Sequence, residues 1–321
     1  MINVYIVSGF LGAGKTTFIQ KLLKEKKFDK VMLLENEFGE VGVDSAFFDS
    51  SLKIREINNG CICCSLQGDF EDALEEIEEM GVTDLLIEPS GVGKLSEIIN
   101  VIRRDEDFRI VSHICIVDVK TCRKYHLNFK EYFDDQVKSA NAVILSHTDV
   151  TDEESVKKAI SIVKELNGEA QIVSDPVSDY SLEELLDIIV SGGDLLPEIE
   201  EDEHDHHEHH LDHEHHHDHD HHHDHEHHHH HDDDDEDEPF KNMILHPKHS
   251  YSEEDLAHAL SDIPEDIIRI KGYVHGKQGM LYFNYVLNEY HIFTGPEREE
   301  ALVSVIGTEI DHDRFEELFH D

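Results

Sequence analysis

Short apolar runs alternate with amphipathic stretches along most of the chain. Val4–Ser8 (VYIVS), Val31–Glu35 (VMLLE), Lys53–Ile57 (KIREI), Asp84–Glu88 (DLLIE), Ile110–Asp118, Ala142–Ser146 and Gln171–Val173 read as strands. Helices are predicted between them at Phe18–Leu23, Asp69–Met80, Leu95–Ile102 and Phe129–Ser139. In the second of these Phe70, Ala73, Leu74 and Ile77 fall on one face. Thr151-x-x-Glu154 and Ser181-x-x-Glu184 have the form of capping boxes and open two more helices. Apolar strands separated by helices predict an α/β fold, a mostly parallel sheet covered on both faces.

The pattern changes after residue 240. Ser252-x-x-Asp255 opens a helix with Leu256, Ala259 and Leu260 inward. Strands are expected at Ile267–Val274, Met280–Leu287, His291–Thr294 and Leu302–Ile306, with a last helix at Arg314–Phe319. This predicts a small α+β domain on a curved antiparallel sheet. Between the two regions, Glu198 to Glu238 holds two aliphatic residues, no aromatic, and 20 of the chain's 73 acidic residues. Of the 29 histidines, 19 lie between His204 and His231. Such a stretch has too little apolar surface to offset the entropy of ordering and is expected to be disordered. The expected layout is therefore 1–196, a 197–239 linker, and 240–321.

Charge narrows the partners. The formal net charge is −46, and all 27 Lys and Arg lie outside the acidic tract, where acids still outnumber them. Nucleic acid, which needs a basic face, is not expected as a partner. No run of 18 apolar residues is present, so no membrane span is expected, and with a strand starting near residue 2 no secretory leader is expected either. The five Cys are odd in number and three fall within four residues, which is not a disulfide framework. These features point to the cytoplasm.

The first strand runs straight into Gly9-Phe10-Leu11-Gly12-Ala13-Gly14-Lys15-Thr16-Thr17. This fits G-x-x-x-x-G-K-[ST] with a strand before it and a helix after it, the signature of a P-loop NTPase. Wrapping a polyphosphate in backbone N–H groups requires glycine where a Cβ would collide or φ must be positive. The helix that follows aims its N-terminus at the anion. Gly9, Gly12, Ala13, Gly14, Lys15, Thr16 and Thr17 are the candidate nucleotide-binding residues. Lys15 would reach the β- and γ-phosphates, and the Thr16 hydroxyl would bind Mg²⁺. Glu88-Pro89-Ser90-Gly91 ends a later strand with an acid and a small turn. Glu88 is expected to hold a metal-bound water or orient the attacking water, and the Gly91 N–H to meet the γ-phosphate. Ser146-His147-Thr148-Asp149 follows another strand, where a guanine reader of the form [NST]-K-x-D would sit. Asp149 would accept from N1–H and the exocyclic amine of guanine, a pair that adenine does not offer. His147 stands in place of the usual lysine. Imidazole can stack on a purine, and the choice between GTP and ATP stays open.

Cys61-x-Cys63-Cys64 is the second cluster with chemistry. Thiolates are soft ligands that suit Zn²⁺ or Cu(I). Cys61 and Cys63 can turn toward one ion, with Cys64 joining across a turn. Without a second Cys pair they do not close a four-Cys structural site, and an open site suits a metal that must leave again. Glu35 or Glu40 could add oxygen ligands. Redox chemistry, or burial as small apolar residues, are the alternatives for the cluster. Cys115 lies in a strand pattern and reads as core. The interleaved imidazoles and carboxylates of the histidine tract suit Zn²⁺, Ni²⁺ or Co²⁺ in many loose sites, and binding should weaken as pH falls below about 6 and the imidazoles protonate. A solvated spacer is the alternative.

Together, the Gly9–Thr17 loop, Asn36-Glu37-Phe38-Gly39-Glu40, Gly60-Cys61-Ile62-Cys63-Cys64 and Glu88-Pro89-Ser90-Gly91 resemble the CobW family of P-loop GTPases. These are relatives of the nickel-insertion GTPases of hydrogenase and urease. Arg269-Ile270-Lys271-Gly272 is similar to the start of that family's C-terminal domain. The resemblance implies slow intrinsic GTP hydrolysis with Mg²⁺. It also implies a metallochaperone role for Zn²⁺, or alternatively Co²⁺ or Ni²⁺ as in cobalamin-type metabolism, toward a client metalloprotein. A dimer dependent on metal or nucleotide is a further arrangement it leaves open. Two other classes stay open from the residues themselves: an ordinary P-loop kinase or ATPase with a redox-active Cys cluster, and a passive metal store. Removing residues 200–238 should leave thermal unfolding and nucleotide hydrolysis close to those of the full chain, because that segment has no core to lose. A collapsed calorimetric transition in the deletion would contradict that expectation.

Overall fold

A computed structural model describes residues 1–25, 28–37, 52–58, 67–191, 240–277, 279–286 and 289–319. The Cys61, Cys63 and Cys64 cluster, Glu40 and the histidine tract lie outside the described residues.

The chain opens with β1 (Ile2–Gly9), α1 (Lys15–Glu25), β2 (Val31–Glu37), β3 (Lys53–Asn58), α2 (Gln67–Glu79) and β4 (Asp84–Glu88). It continues through α3 (Leu95–Arg103), β5 (Phe108–Asp118), α4 (Cys122–Asn128), α5 (Lys130–Lys138) and β6 (Ala142–Ser146). Then come α6 (Glu153–Leu166), β7 (Gln171–Val173) and α7 (Leu182–Ser191). The strands form one sheet in the order β3-β2-β4-β1-β5-β6-β7, and every pairing is parallel. Alternation along β1 explains why both faces are covered. Val4 and Ile6 join one buried cluster, while Tyr5 and Val7 join another on the opposite face. Cys115 is buried in β5, as its strand pattern implied.

One helix was not foreseen and one cap is corrected. The helix expected over Phe129–Ser139 is preceded by a separate one, α4, whose apolar contribution to the core is only Cys122 and Tyr125. So few apolar positions leave no readable period. The cap of α6 is Asp152, whose carboxylate accepts from the Ser155 N–H at 2.9 Å. Thr151 instead donates its hydroxyl to the His147 carbonyl at 2.6 Å, so the loop before the helix outcompetes the capping box. The Ser181–Glu184 box forms as its spacing suggests, with the Ser181 N–H donating to the Glu184 carboxylate at 2.9 Å.

The second sheet comprises β8 (Lys241–Leu245), β9 (Ser250–Tyr251), β10 (Ile267–Gly276), β11 (Gly279–Val286), β12 (Glu289–Thr294) and β13 (Leu302–Gly307). Its order is β12-β11-β10-β13-β8, antiparallel throughout, with short β9 added parallel to β10. Helices α8 (Glu253–Ser261), capped by the Ser252–Asp255 box, and α9 (His312–Phe319) cover one face. Leu256, Leu260, Phe315 and Phe319 meet Ile270, Phe283 and Val305 there, and Phe283 stacks on Phe319 at 5.9 Å.

Met1–Pro197 and Phe240–Asp321 form one compact unit. Phe240, Ile268 and Ile306 from the second sheet's side complete the core of the first. Phe240 lies 5.1 Å from Tyr132, 5.4 Å from Phe129 and 6.4 Å from Phe10 of the glycine-rich loop. Truncating this ring removes edge and tilted contacts on three sides. Phe240→Ala is therefore expected to cost about 3 kcal/mol in urea unfolding followed by circular dichroism. A loss below about 1 kcal/mol, within the range of a surface change, would show that the ring does not join the two sheets.

Candidate functional site

The loop between β1 and α1 is shaped by what surrounds it. Gly9 has φ +144, and a Cβ there would strike the Ile116 carbonyl, so no other residue fits. Phe10 and Leu11 turn into the core, each 1% exposed. Phe10 sits 4.2 Å from the Tyr125 ring, and the Tyr125 hydroxyl donates to the Leu11 carbonyl at 3.2 Å. Gly12 and Gly14 then take positive φ, and α1 starts at Lys15.

A cavity of 320 Å³ opens over this loop. It is lined by Gly12, Ala13, Gly14, Lys15, Thr16 and Thr17, with Glu88 from the end of β4. The Thr16 hydroxyl donates to Glu88 Oε1 at 2.9 Å. A hydroxyl beside a buried carboxylate is an all-oxygen donor set, which suits a hard cation such as Mg²⁺. Gly91 is not among the lining residues, and it packs on the loop. A Cβ at Gly91 would lie 2.5 Å from Leu11 Cδ2 and 3.0 Å from the Leu11 nitrogen. Gln136, fully buried on α5, holds the turn by donating to the carbonyls of Gly91 at 3.2 Å and Gly93 at 2.7 Å.

A second cavity of 560 Å³ shares Ala13, Gly14 and Thr17 with the first. Its far wall is Ser146, His147, Thr148 and Asp149 after β6. His147 has φ +58, a left-handed conformation that costs a non-glycine residue about 1 kcal/mol or more. Its ring lies 3.2 Å from Asp118 Oδ1, at the end of β5. That hydrogen bond raises the imidazole above its ordinary value, with partial burial working against it. Asp118 was not singled out by the sequence, where it was only the last residue of a strand.

Glu35 is 7% exposed near the end of β2. The register of β2 on β4 sets it directly beside Glu88. On the other side β2 pairs with β3, Asn36 opposite Ile57, and the Asn36 amide donates to the Ile57 carbonyl at 3.4 Å. The sequence also gave no hint that Arg269 and Asn284, on β10 and β11, would line the phosphate-loop cavity. The signal was a cation inside an apolar strand, which by itself is silent on where the strand docks.

The parallel sheet and the loop between its central strand and first helix define a P-loop nucleotide-binding protein. The chain belongs to the CobW/HypB/UreG family: residues 3–174 match its nucleotide-binding domain. Residues 240–321 match the cobalamin synthesis protein cobW C-terminal domain. It is 32% identical over 179 residues to the zinc chaperone YeiR of Escherichia coli K12, an alignment covering 54% of this chain and 55% of that one. It is 31% identical over 192 residues to the zinc chaperone YjiA of the same organism, covering 56% and 59%. A zinc-regulated GTPase metalloprotein activator of Dictyostelium discoideum is 27% identical over 230 residues, covering 58% and 48%. The chain thus spans about half the length of the curated relatives it matches. The solved Zn(II)-bound YjiA GTPase from E. coli aligns over 99% of this chain and 98% of that one, at 19% identity and a TM-score of 0.45.

A ring raised by a carboxylate contributes stability while it is protonated. That contribution is complete below the unfolded value of about 6.5 and is lost as pH rises through the higher folded value. By NMR, His147 should titrate above about 6.5, and Asp118→Asn should bring its midpoint down. A midpoint that stays put in that variant would remove Asp118 as the cause.

Proposed function

We propose that this protein is a GTP hydrolase that couples its nucleotide cycle to delivery of a transition metal, Zn²⁺ in the first place, to a client metalloprotein. Co²⁺ or Ni²⁺ are the alternative cargoes. The reading is supported by the glycine-rich loop with its Thr16–Glu88 contact, by the neighbouring Asp149 cavity, and by relatives named as zinc chaperones. The observation that carries the coupling is strand register: Glu35 stands beside Glu88, which is bonded to Thr16. On the far side of β2 lies β3, and Cys61 follows its last residue, Asn58, by three positions. β2 thus stands between the strand that leads toward the cysteines and the strand that ends in Glu88.

In this mechanism Lys15 and the loop N–H groups hold the β- and γ-phosphates, and Asp149 reads the guanine edge. Thr16 would hold Mg²⁺, which would supply neutralising charge at the phosphates. Glu88 orients the attacking water. A change at Glu88 on hydrolysis shifts its neighbour Glu35 and the β2–β3 pair, which loosens the thiolate site of Cys61, Cys63 and Cys64 and frees the cargo. Glu40 is a further oxygen ligand in this proposal. The histidine tract collects ions and raises their effective concentration at the cysteines. The working layout is a GTPase domain over 1–196, a linker over 197–239 and a client-recognising domain over 240–321, in the cytoplasm. Among the described residues no helix is long and apolar enough to cross a membrane.

The test is hydrolysis by metal-stripped protein in Mg²⁺, titrated with buffered Zn²⁺, Co²⁺ or Ni²⁺, with ATP as the control nucleotide. A rate change near one equivalent of Zn²⁺, specific to GTP and abolished in Cys63→Ala, is expected. Turnover that ignores all three metals, or responds equally in Cys63→Ala, would sink the coupling.

A further inference from the structure

Among the described residues, the cavity over the phosphate loop is not built by the parallel sheet alone. Arg269 of β10 and Asn284 of β11 line it together with Gly12 to Thr17 and Glu88. Arg269 is 8% exposed, and its Nε donates to Asn284 Oδ1 at 3.4 Å. Val286, opposite Arg269 in the β10–β11 register, comes within 3.3 Å of where a Gly12 Cβ would be. The second sheet therefore meets the loop at the residues that would touch phosphate.

The backbone explains why an arginine of that sheet faces this way. The pairing of β10 with β13 shifts register between Ile267 and Arg269. Ile267 packs in the core under α8 and α9, whereas Ile268 packs in the core shared with the first sheet. Arg269 is then paired with Ile306, which belongs to that shared core. A bulge of this kind turns successive side chains to one face, and bulges recur beside active sites for that reason. Beyond it the strand alternates normally, with Ile270 and Val274 back in the core under the helices.

Charge points the same way. The chain carries a net −46, yet among the described residues the ionisable side chains lining the cavity are Lys15, Arg269 and Glu88, and Glu88 is in a hydrogen bond with Thr16. Burying a guanidinium is costly, and an anion brought into this cavity lowers that cost. A planar fork of N–H groups matches phosphate oxygens better than any other side chain.

We propose that Arg269 is a catalytic residue delivered in cis by the C-terminal sheet, contacting the terminal phosphate of bound GTP and the charge that grows on it during hydrolysis. The proposal rests on the GTP hydrolase reading above. In the step itself the water oxygen bonds to the γ-phosphorus and the bond to the β,γ-bridging oxygen breaks. The electron pair stays on that oxygen, and the proton of the water ends on inorganic phosphate. Arg269 stabilises the equatorial and bridging oxygens, while Asn284 fixes its fork. GDP lacks the group that Arg269 holds, so the C-terminal sheet is tied to the loop by GTP and not by GDP.

The experiment uses the full chain and compares Arg269→Gln and Arg269→Lys with the unaltered protein. Single-turnover GTP hydrolysis is measured alongside the affinities for fluorescent GDP and a non-hydrolysable GTP analogue, with thermal unfolding recorded for each. Hydrolysis should fall about 100-fold or more in Arg269→Gln. GDP affinity should stay within about twofold, while preference for the triphosphate is lost. Arg269→Lys should keep part of that preference through its charge but recover little of the rate, because it lacks the fork. Unchanged hydrolysis in Arg269→Gln, or an equal loss of GDP and triphosphate affinity, would overturn the proposal. Loss of the native unfolding transition in both variants would also overturn it and assign Arg269 to the fold. An unaltered protein that turns over no GTP would refute the hydrolase reading itself, a separate outcome.

Discussion

A loop that offers its backbone to an anion leaves that backbone without internal partners, so its shape must be imposed from outside. Here Phe10 and Leu11 impose it. Both are 1% exposed, and the segments around the site meet at them. Tyr125 holds Leu11 by its carbonyl, Gly91 presses against Leu11 from the end of β4, and Phe129 and Phe240 stand around Phe10. The glycines on either side supply freedom, and these two side chains remove it again. The position of the turn after β4, the docking of α4 and α5, and the seat of the C-terminal sheet all depend on the same buried pair.

Several buried polar side chains surround the phosphate loop. Lys15, Glu35, Glu88 and Arg269 are each at most 8% exposed, and Gln136 is fully buried. Charges in such positions cost stability unless partners are arranged for them. In an open parallel sheet the carboxyl ends of the strands are where such arrangements serve a ligand. β1 lies in the middle of the sheet, between β4 and β5. The Gly9–Thr17 loop, Glu88 and Asp118 therefore fall on three adjacent strand ends. His147, one strand further out, is held in a left-handed conformation and tied to Asp118, which fixes the wall of the second cavity.

The C-terminal sheet has two unlike faces. One face is closed by α8 and α9 around Phe283, Phe315 and Phe319. The other presents Arg269, Lys271 and Asn284 along neighbouring strands, with Ile268 and Ile306 sealing it to the first sheet. The seam is apolar at Phe240 and places Arg269 over the phosphate loop.

What the sequence determined by itself was local. Period-two and period-3.6 patterns marked most strands and helices, and the Ser181 and Ser252 boxes marked helix starts, because those signals act over three or four residues. The glycine-rich loop was legible for the same reason, since backbone wrapping needs fixed residues at fixed short spacings. The same locality misled at Thr151, where a contact back to His147 displaced the cap, and left α4 unmarked, because it buries only Cys122 and Tyr125. Only the tertiary structure decided which strands stand side by side, and so that Glu35 neighbours Glu88 and that Asp118 reaches His147. It alone carried Arg269 to the phosphate loop through a single extra residue in β10. Those placements depend on contacts between segments tens to hundreds of residues apart, settled by the packing of the whole core and by a bulge that leaves no periodic mark in the chain.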